Sequence, residues 1–337
     1  MNVLQFPKEI SGQTWNYAKA IRQTGHRSTA AVFEPHLYGY EYDELIYPNG
    51  FPGKWWSRFY RVRYFIKTIK RFDILNYWAS STLLNDIDLR MASSIGIPTV
   101  MTFCGSSIRS VSEAAKKSEF LDADGWPREP RNKEYFAQLN EYLDLAIYQY
   151  YELEPYVREH FDHAVHIPRA VDCEKISPQQ PRADTDDILR VAHAPSDRQL
   201  KGTKHVIDAV QSLKNNGYNI EITVIEGTHT EVIETLQQAD LVVDRLKLGT
   251  FGVVSLEAMA TGTPTVCYMR DDLRSKYPDE LPVINATPET IEQVLAELAT
   301  DADRRRVLGS QGREYVTRYH DLSTIGDRLL NVYEQLL

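Results

Sequence analysis

Short apolar segments alternate with amphipathic stretches along most of the chain. In the first half, the segments that predict strands are Val3–Phe6, Thr29–Phe33, Asp73–Trp78, Thr99–Cys104, Leu145–Tyr150 and Ala164–Ile167. Between them, apolar residues recur every three or four positions and predict helices, as at Thr14–Arg22, Lys54–Phe72 and Leu84–Ser94. This alternation is typical of parallel sheets with helices on their faces.

A second alternating series follows the polar, proline-bearing stretch 170–187, which we interpret as an interdomain linker. It predicts strands at Leu189–Ala194, Glu221–Glu226, Asp240–Asp244 and Thr265–Met269, and helices at Lys204–Asn215, Glu231–Gln237 and Gly252–Ala260. We therefore predict two Rossmann-like, doubly wound α/β domains, residues 1–168 and 169–337, facing each other across a cleft. Ligands bind at the carboxyl ends of the strands in such sheets.

Composition narrows the class of protein. The 337 residues are 42% apolar and 25% charged, with a formal net charge of −9, as in soluble globular proteins. Residues 1–168 hold 19 basic and 20 acidic side chains and residues 169–337 hold 19 and 27, which argues against a general nucleic-acid binder. Three separated cysteines, no signal-peptide pattern and no apolar run of roughly 20 residues predict a cytoplasmic protein.

The most informative motif is GTFGVVSLEAMATGTP at Gly249–Pro264, directly after the apolar run 240–244. It predicts a buried strand, a turn broken by glycines and a helix. Gly249 and Gly252 allow close approach of the backbone to a ligand, and the first amides of the helix favour a phosphate. Glu257, deeper on the helix, is placed to accept two hydrogen bonds from a ribose diol.

This stretch resembles the nucleotide-sugar site of the GT-B glycosyltransferases, specifically the family 4-like group. The motif residues that match are Phe251, Gly252, Glu257, Ala258, Met259, Ala260, Gly262 and Pro264. Gly249 stands where the family has the first of two glutamates, which contacts the donor sugar there. The resemblance implies that Gly252, Val253 and Val254 assist at the donor phosphates and that Glu257 holds the ribose.

The segment 193–209, HAPSDRQLKGTKHVIDA, resembles the phosphate loop of the same family. Lys201 and Gly202 match it, so Lys201 is expected to hold the donor diphosphate. The family's arginine falls on Pro195 or Ser196 here, and Arg198 is the nearest substitute. Gly12, in the turn after the first strand, matches a glycine that faces the donor phosphates in GT-B enzymes. By the same analogy, Glu226 and the residues 227–229 are expected near the base.

The stretch Thr99–Arg109, TVMTFCGSSIR, resembles a family segment that carries a histidine near the donor sugar. Cys104 occupies the histidine position, and we interpret it as a buried thiol at a strand end rather than a catalytic residue. Gly105, Ser106 and Arg109 are candidates for contacts with hydroxyls of the sugar or the acceptor.

Segment 54–72, KWWSRFYRVRYFIKTIKRF, carries seven basic residues and no acidic one. Its apolar stripe consists of Trp55, Phe59, Val62, Ile66 and Ile69. One interpretation is a helix that packs this stripe on its sheet and exposes its charges. The other is a peripheral patch for anionic lipid, or for a lipid-phosphate acceptor, at the inner face of a membrane.

The resemblance implies a retaining, metal-independent transferase without a cofactor, acting on a nucleotide-sugar donor and a glycan or lipid-linked acceptor. It also implies a terminal helix, 324–337, that packs back on the first domain. No metal-ligand spacing is present, and no nucleic-acid partner is expected. A degenerate GT-B protein that binds without turnover, a bilobed solute-binding protein and a sugar-nucleotide epimerase remain alternatives. Transfer to an acceptor separates the first from an enzyme, and epimerised sugar formed without an acceptor identifies the last.

Overall fold

Two parallel sheets organise the protein in a computed structural model that describes residues 1–47, 50, 52–80, 83–122, 133–178 and 188–337. Residues 179–187, half of the predicted linker 170–187, lie outside the described residues, as do parts of the loops before residues 53 and 133. The pairings between neighbouring strands are parallel throughout the described sheets. The predicted α/β class, with two Rossmann-like sheets, is confirmed.

The first sheet has seven strands among the described residues, in the order β3-β2-β1-β4-β5-β6-β7. These are β1 (Asn2–Phe6), β2 (Arg27–Val32), β3 (Glu44–Leu45), β4 (Ile74–Trp78), β5 (Thr99–Phe103), β6 (Leu145–Tyr148) and β7 (Ala164–His166). The helices along this part are α1 (Gln13–Gln23), α2 (Lys54–Thr68), α3 (Ile87–Ser94), α4 (Val111–Lys117), α5 (Lys133–Asn140) and α6 (Glu154–Arg158), with 3₁₀ turns at Leu84–Asp86 and Tyr151–Leu153.

The second sheet has five strands among the described residues, in the order β12-β11-β10-β8-β9. These are β8 (Leu189–His193), β9 (Ile220–Val224), β10 (Leu241–Val243), β11 (Thr265–Cys267) and β12 (Ile284–Asn285). The helices are α7 (Arg198–Lys201), α8 (Thr203–Asn215), α9 (His229–Gln238), α10 (Val253–Thr261), α11 (Asp271–Arg274), α12 (Ile291–Thr300), α13 (Ala302–Tyr319) and α14 (Leu322–Glu334). The two short edge strands, β3 and β12, were not predicted because two residues give no periodicity.

The chain forms two compact units. The first contains the described residues within Met1–Ser110, Glu129–Ala170 and His320–Leu337, and the second those within Val111–Arg128 and Val171–Tyr319. This division differs from a single cut after residue 168, since residues 111–122 belong to the second unit and residues 320–337 belong to the first. The spacing of hydrophobic residues within a segment does not indicate which of the two units that segment joins.

The last helix belongs to the core of the first unit. Leu322, Ile325 and Leu329 of α14 are fully or almost fully buried in one cluster with Tyr17 and Ile21 of α1. The two helices approach so closely that a Cβ on Gly326 would lie 2.5 Å from the carbonyl oxygen of Ala20. Glycine therefore permits this helix contact.

Helix α2 does not bury the apolar stripe that hydrophobic spacing assigned to the sheet. Its buried residues are Ser57, Phe65 and Thr68, whereas Trp55 is 83% and Ile66 is 64% exposed. The interpretation that the stripe packs on the sheet is wrong for all its members except Ile69, which is 8% exposed. The buried face of α2 instead consists of one aromatic and two polar side chains. The spacing of apolar residues alone could not identify that face.

Candidate functional site

A buried ion pair lies at the carboxyl ends of β8 and β10. Nζ of Lys201 donates a hydrogen bond to Oδ1 of Asp244, and the two side chains are 6% and 0% exposed. Burial lowers the pKa of Lys201, and Asp244 opposes that shift. Burial also opposes ionisation of Asp244, but Lys201, Arg245 and hydrogen bonds outweigh it and hold the pKa of Asp244 below its usual range. Asp244 is therefore ionised at neutral pH and faces Nζ of Lys201.

Asp244 also fixes the start of α10. Its Oδ2 accepts the amide hydrogen of Gly252 at 2.6 Å and the hydroxyl hydrogen of Ser255 at 2.7 Å. The next two amides, of Val253 and Val254, have no acceptor within the part of the chain that the structure describes. Such first-turn amides carry partial positive charge and are suited to an anion.

Arg245 is a candidate site residue that the sequence analysis missed. Its guanidinium lies beside Gly252, where a Cβ would come 2.2 Å from Nη2, and its Nε lies 3.8 Å from Oδ2 of Asp244. The side chain is 14% exposed, and Nε is buried without a hydrogen-bond partner among the described residues. Arg245 therefore adds a cation beside the start of α10.

One signal in the sequence pointed to Arg245. It follows Asp244 immediately after a buried strand, and β10 pairs directly with β8, the strand that leads into the Lys201 loop. Parallel neighbours end at the same edge of a sheet, so both strand ends meet there. A search within the loop of β8 alone could not find it.

Glu257 lies on α10, buried to 6% exposure, and contacts a histidine from α9. Oε1 of Glu257 is 2.7 Å from Nε2 of His229. Thr228 caps α9 by accepting from the amide of Glu231, which places His229 in the first turn of the helix. The structure thus brings together Glu257 and His229, both of which the sequence placed near a nucleoside.

Arg198 is held away from the buried pair. Its Nε donates to Oε1 of Glu226 at 2.6 Å, and the two side chains are 58% and 53% exposed. Asp197 caps α7 by accepting from the amide of Leu200. Arg198 and Glu226 therefore form a solvent-exposed pair at the end of β9.

In the first unit, Gly12 precedes α1 in the left-handed region, with φ of 76°. Glu9 lies in the same turn, and its carboxyl accepts the amides of Thr14 and Trp15 at 3.3 and 3.1 Å. Burial raises the pKa of Glu9 to about 7, against the opposing effect of these amides. The helix start beside Gly12 thus already has a carboxyl partner.

Arg109 forms a buried bidentate pair with Glu152, in which Nη2 donates to Oε2 at 2.8 Å and Nε donates to Oε1. The side chains are 5% and 2% exposed. Gly105 has φ of 152° and packs beside the guanidinium, whereas Ser106 is exposed. Burial raises the pKa of Cys104 to about 12, so this thiol is protonated at neutral pH.

Arg169 is a second residue that the sequence analysis missed. It is 5% exposed, and its Nε and Nη1 have no hydrogen-bond partner among the described residues. Its guanidinium carbon lies 5.0 Å from the centre of the Tyr150 ring. Burying an arginine that has no paired carboxylate among the described residues is costly, which makes Arg169 a candidate binding residue.

The space at Gly249 is filled by a residue that follows β11, at the start of α11. A Cβ on Gly249 would lie 2.3 Å from Cγ of Arg270, and the residue has φ of 81°. Arg270 in turn donates to both carboxylate oxygens of Asp272, at 2.9 and 2.8 Å. A cationic side chain therefore lies where the resembled family has a glutamate.

Two further observations concern other kinds of site. Within the described ranges, no three histidine, cysteine or acidic side chains come together as metal ligands would. In the same ranges, no helix has both the length and the apolar character to cross a bilayer.

Comparison with solved structures identifies the fold. A sucrose-phosphate synthase from Thermosynechococcus elongatus superimposes with a TM-score of 0.69 at 14% identity, covering 99% of this chain and 98% of that one. A glycosyltransferase from Rickettsia africae gives 0.69 at 12% identity, with coverages of 99% and 98%. HepE of Anabaena in complex with UDP-glucose gives 0.65 at 13%, covering 99% and 100%. The chain has the GT-B fold.

These similarities extend over the whole chain at low identity, so they establish the architecture. No protein-family model and no curated protein matches the sequence. The chemistry must therefore be argued from the residues of the GT-B framework itself.

Proposed function

We propose that this GT-B protein is a glycosyltransferase that moves a sugar from a nucleotide diphosphate sugar to a glycan or lipid-linked acceptor. The observation that carries the proposal is the arrangement around the start of α10. Two cations, Lys201 and Arg245, lie beside first-turn amides that lack an acceptor within the described residues. This combination of fixed positive charge and backbone donors suits a diphosphate.

The nucleoside would be held by the adjoining residues. Glu257 lies on the same helix and presents a carboxylate that can accept hydrogen bonds from ribose hydroxyls. His229, at 2.7 Å from that carboxylate, would orient it or be displaced toward the base. The exposed pair of Arg198 and Glu226 would lie at the base end rather than at the phosphates.

The chemistry would be charge stabilisation. The bond from the anomeric carbon to the diphosphate oxygen breaks, and negative charge grows on the departing diphosphate. Arg245 and the amides of Val253 and Val254 would stabilise that charge from fixed positions, and Lys201, whose charge Asp244 partly offsets, would add to it. The acceptor oxygen forms the new bond, and its proton would pass to an oxygen of the leaving phosphate. The family resemblance implies retention of anomeric configuration and no metal.

The test is calorimetry of the full chain with UDP, GDP and ADP in EDTA, beginning with UDP because HepE has been solved with UDP-glucose. Arg245→Gln is expected to weaken binding of the preferred nucleotide about 10- to 100-fold, because it removes charge-assisted hydrogen bonds. Arg306→Gln is the matched control, since Arg306 lies on α13 and is 77% exposed. Equal affinities for the two variants, or no binding of any nucleotide, would reject the site.

A binding protein without turnover is the second candidate. The specific observation in its favour is Gly249, where Arg270 fills the space of a side chain that touches the donor sugar in the family. Cys104, a protonated thiol in place of a histidine, points the same way. Release of free sugar or transfer to a supplied acceptor identifies the enzyme, whereas tight nucleotide-sugar binding without either identifies the binder.

A further inference from the structure

The outward side of α2 is an exposed apolar face. It consists of Trp55, Trp56, Phe59, Val62 and Ile66, which we term the α2 outer face. Their exposed fractions are 83%, 64%, 52%, 42% and 64%. A shorter run of exposed apolar residues lies along α3 and its C-cap, at Ile87, Met91 and Ile95, but it contains no aromatic residue. A contiguous exposed patch of this kind marks a contact surface.

The face is continuous along the helix. At 100° per residue, Trp55, Phe59, Val62 and Ile66 fall within an arc of about 60°. The rings of Trp56 and Phe59 contact each other edge to face, with centroids 6.1 Å apart. The opposite side is anchored, with Ser57, Phe65 and Thr68 buried, so the helix is already formed and oriented.

Cations border this face. Lys54, Arg58, Arg63, Lys67 and Lys70 are exposed, and none forms an ion pair with a carboxylate in the described parts of the chain. The two remaining basic residues of the segment lie elsewhere. Arg61 contacts Tyr47 and the Phe33 ring, and Arg71 pairs with Glu44. All the charged residues of segment 54–72 that border this face are therefore positive.

We propose that the α2 outer face binds the surface of an anionic lipid bilayer. A bilayer interface accepts apolar side chains, tryptophan rings and flanking cations together, whereas a nucleic acid offers no partner for Val62 and Ile66. The charge complementarity is local, because the whole protein carries −9 and would otherwise be repelled by anionic lipid. Attachment is peripheral, with the helix lying in the interface plane.

The test is sedimentation of the full chain with vesicles of phosphatidylcholine alone or with 30% phosphatidylglycerol. The wild type is expected to bind the anionic vesicles and not the neutral ones. Each cation removed weakens binding about fivefold, so the triple variant Arg58→Gln, Arg63→Gln, Lys67→Gln loses roughly 100-fold. Arg304→Gln with Arg306→Gln, on the exposed side of α13, is the control for charge and is expected to retain binding.

A second variant separates the apolar contribution. Trp55→Ser with Ile66→Ser is expected to abolish the binding that remains at 0.5 M salt, since salt screens the cations but not the apolar contact. Both side chains are exposed, so the circular dichroism spectrum and nucleotide affinity stay unchanged. Nucleotide affinity thereby reports on the proposed transferase site independently of the lipid result.

Three outcomes would overturn the proposal. The first is equal binding to neutral and anionic vesicles. The second is a triple variant that binds as the α13 control does. The third is a dimer in lipid-free buffer that Trp55→Ser with Ile66→Ser converts to a monomer, which would assign the face to a second copy.

Discussion

The buried pair of Lys201 and Asp244 allows a sharp test of the electrostatics at the start of α10. Asp244→Asn keeps the size of the side chain but removes the charge that faces Lys201. The substitution also weakens the acceptor at Oδ2, which in the wild type lies 2.6 Å from the amide nitrogen of Gly252 and 2.7 Å from the hydroxyl of Ser255. Breaking a buried ion pair by removing one partner costs about 3 to 5 kcal/mol. We expect a loss of that size in the free energy of unfolding at pH 7.

The control is a solvent-exposed ion pair between the same two residue types, lysine and aspartate. Lys204 and Asp208 pair along α8 with side chains 83% and 58% exposed. Asp208→Asn is expected to cost less than about 1 kcal/mol, because water screens the charges on both sides. Urea unfolding by circular dichroism measures both variants, and hydrogen exchange over residues 252–261 assigns the loss to α10.

The pH dependence distinguishes charge from packing. In Asp244→Asn, Lys201 is buried without its counterion, so its pKa in the folded state falls further below that of the unfolded chain. Between those two values the unfolded state binds more protons, and stability therefore rises with pH. The deficit relative to wild type should shrink from pH 7 toward pH 10. Lys201→Met combined with Asp244→Asn should recover most of the loss.

Two results would refute this reasoning. A loss no larger than that of Asp208→Asn would mean that the pair contributes little despite its burial. A loss that stays constant from pH 7 to pH 10 would mean that packing or the cap of α10, and not the stranded charge, accounts for the effect.

Gly249→Glu, which restores the family residue, should destabilise the protein by about 1 to 3 kcal/mol in urea unfolding, because φ is 81° and Arg270 fills the space of a side chain. Without ligand, Arg169→Met should leave the melting temperature unchanged or raise it, because it removes a buried guanidinium with two unpaired nitrogens. Arg109→Met should instead lower the melting temperature strongly, because it leaves the buried carboxylate of Glu152 without its partner. His193 is buried, and desolvation lowers its pKa to about 4. As the pH drops from 6.5 to 4, this group should lower the free energy of unfolding by about 1.4 kcal/mol per pH unit, because the unfolded state binds the proton first. A His193→Gln variant titrated in parallel should lack that slope.

Much of the fold was predictable from the sequence because parallel strands buried on both faces are short apolar runs. The strands β1, β4 and β5 were predicted to within a residue of their bounds. The start of α10 also followed from local sequence, since a glycine turn before an apolar helix can be seen in one window.

The partners of these residues could not be predicted, because they come from strands distant in sequence. Lys201 meets Asp244 across 43 residues, and Arg270 fills the space at Gly249 from beyond β11. His229 meets Glu257 across 28 residues. Sheet order, rather than spacing along the chain, brings such residues together.

The sequence by itself determined two parallel sheets, the helix that carries Glu257, and a basic segment without acids at 54–72. Only the tertiary structure decided that Asp244 neutralises Lys201 and that the α2 outer face turns outward. Local periodicity identifies that a helix has an apolar side, but it cannot say whether the fold covers that side. Burial depends on which elements pack against it, and those contacts are long-range.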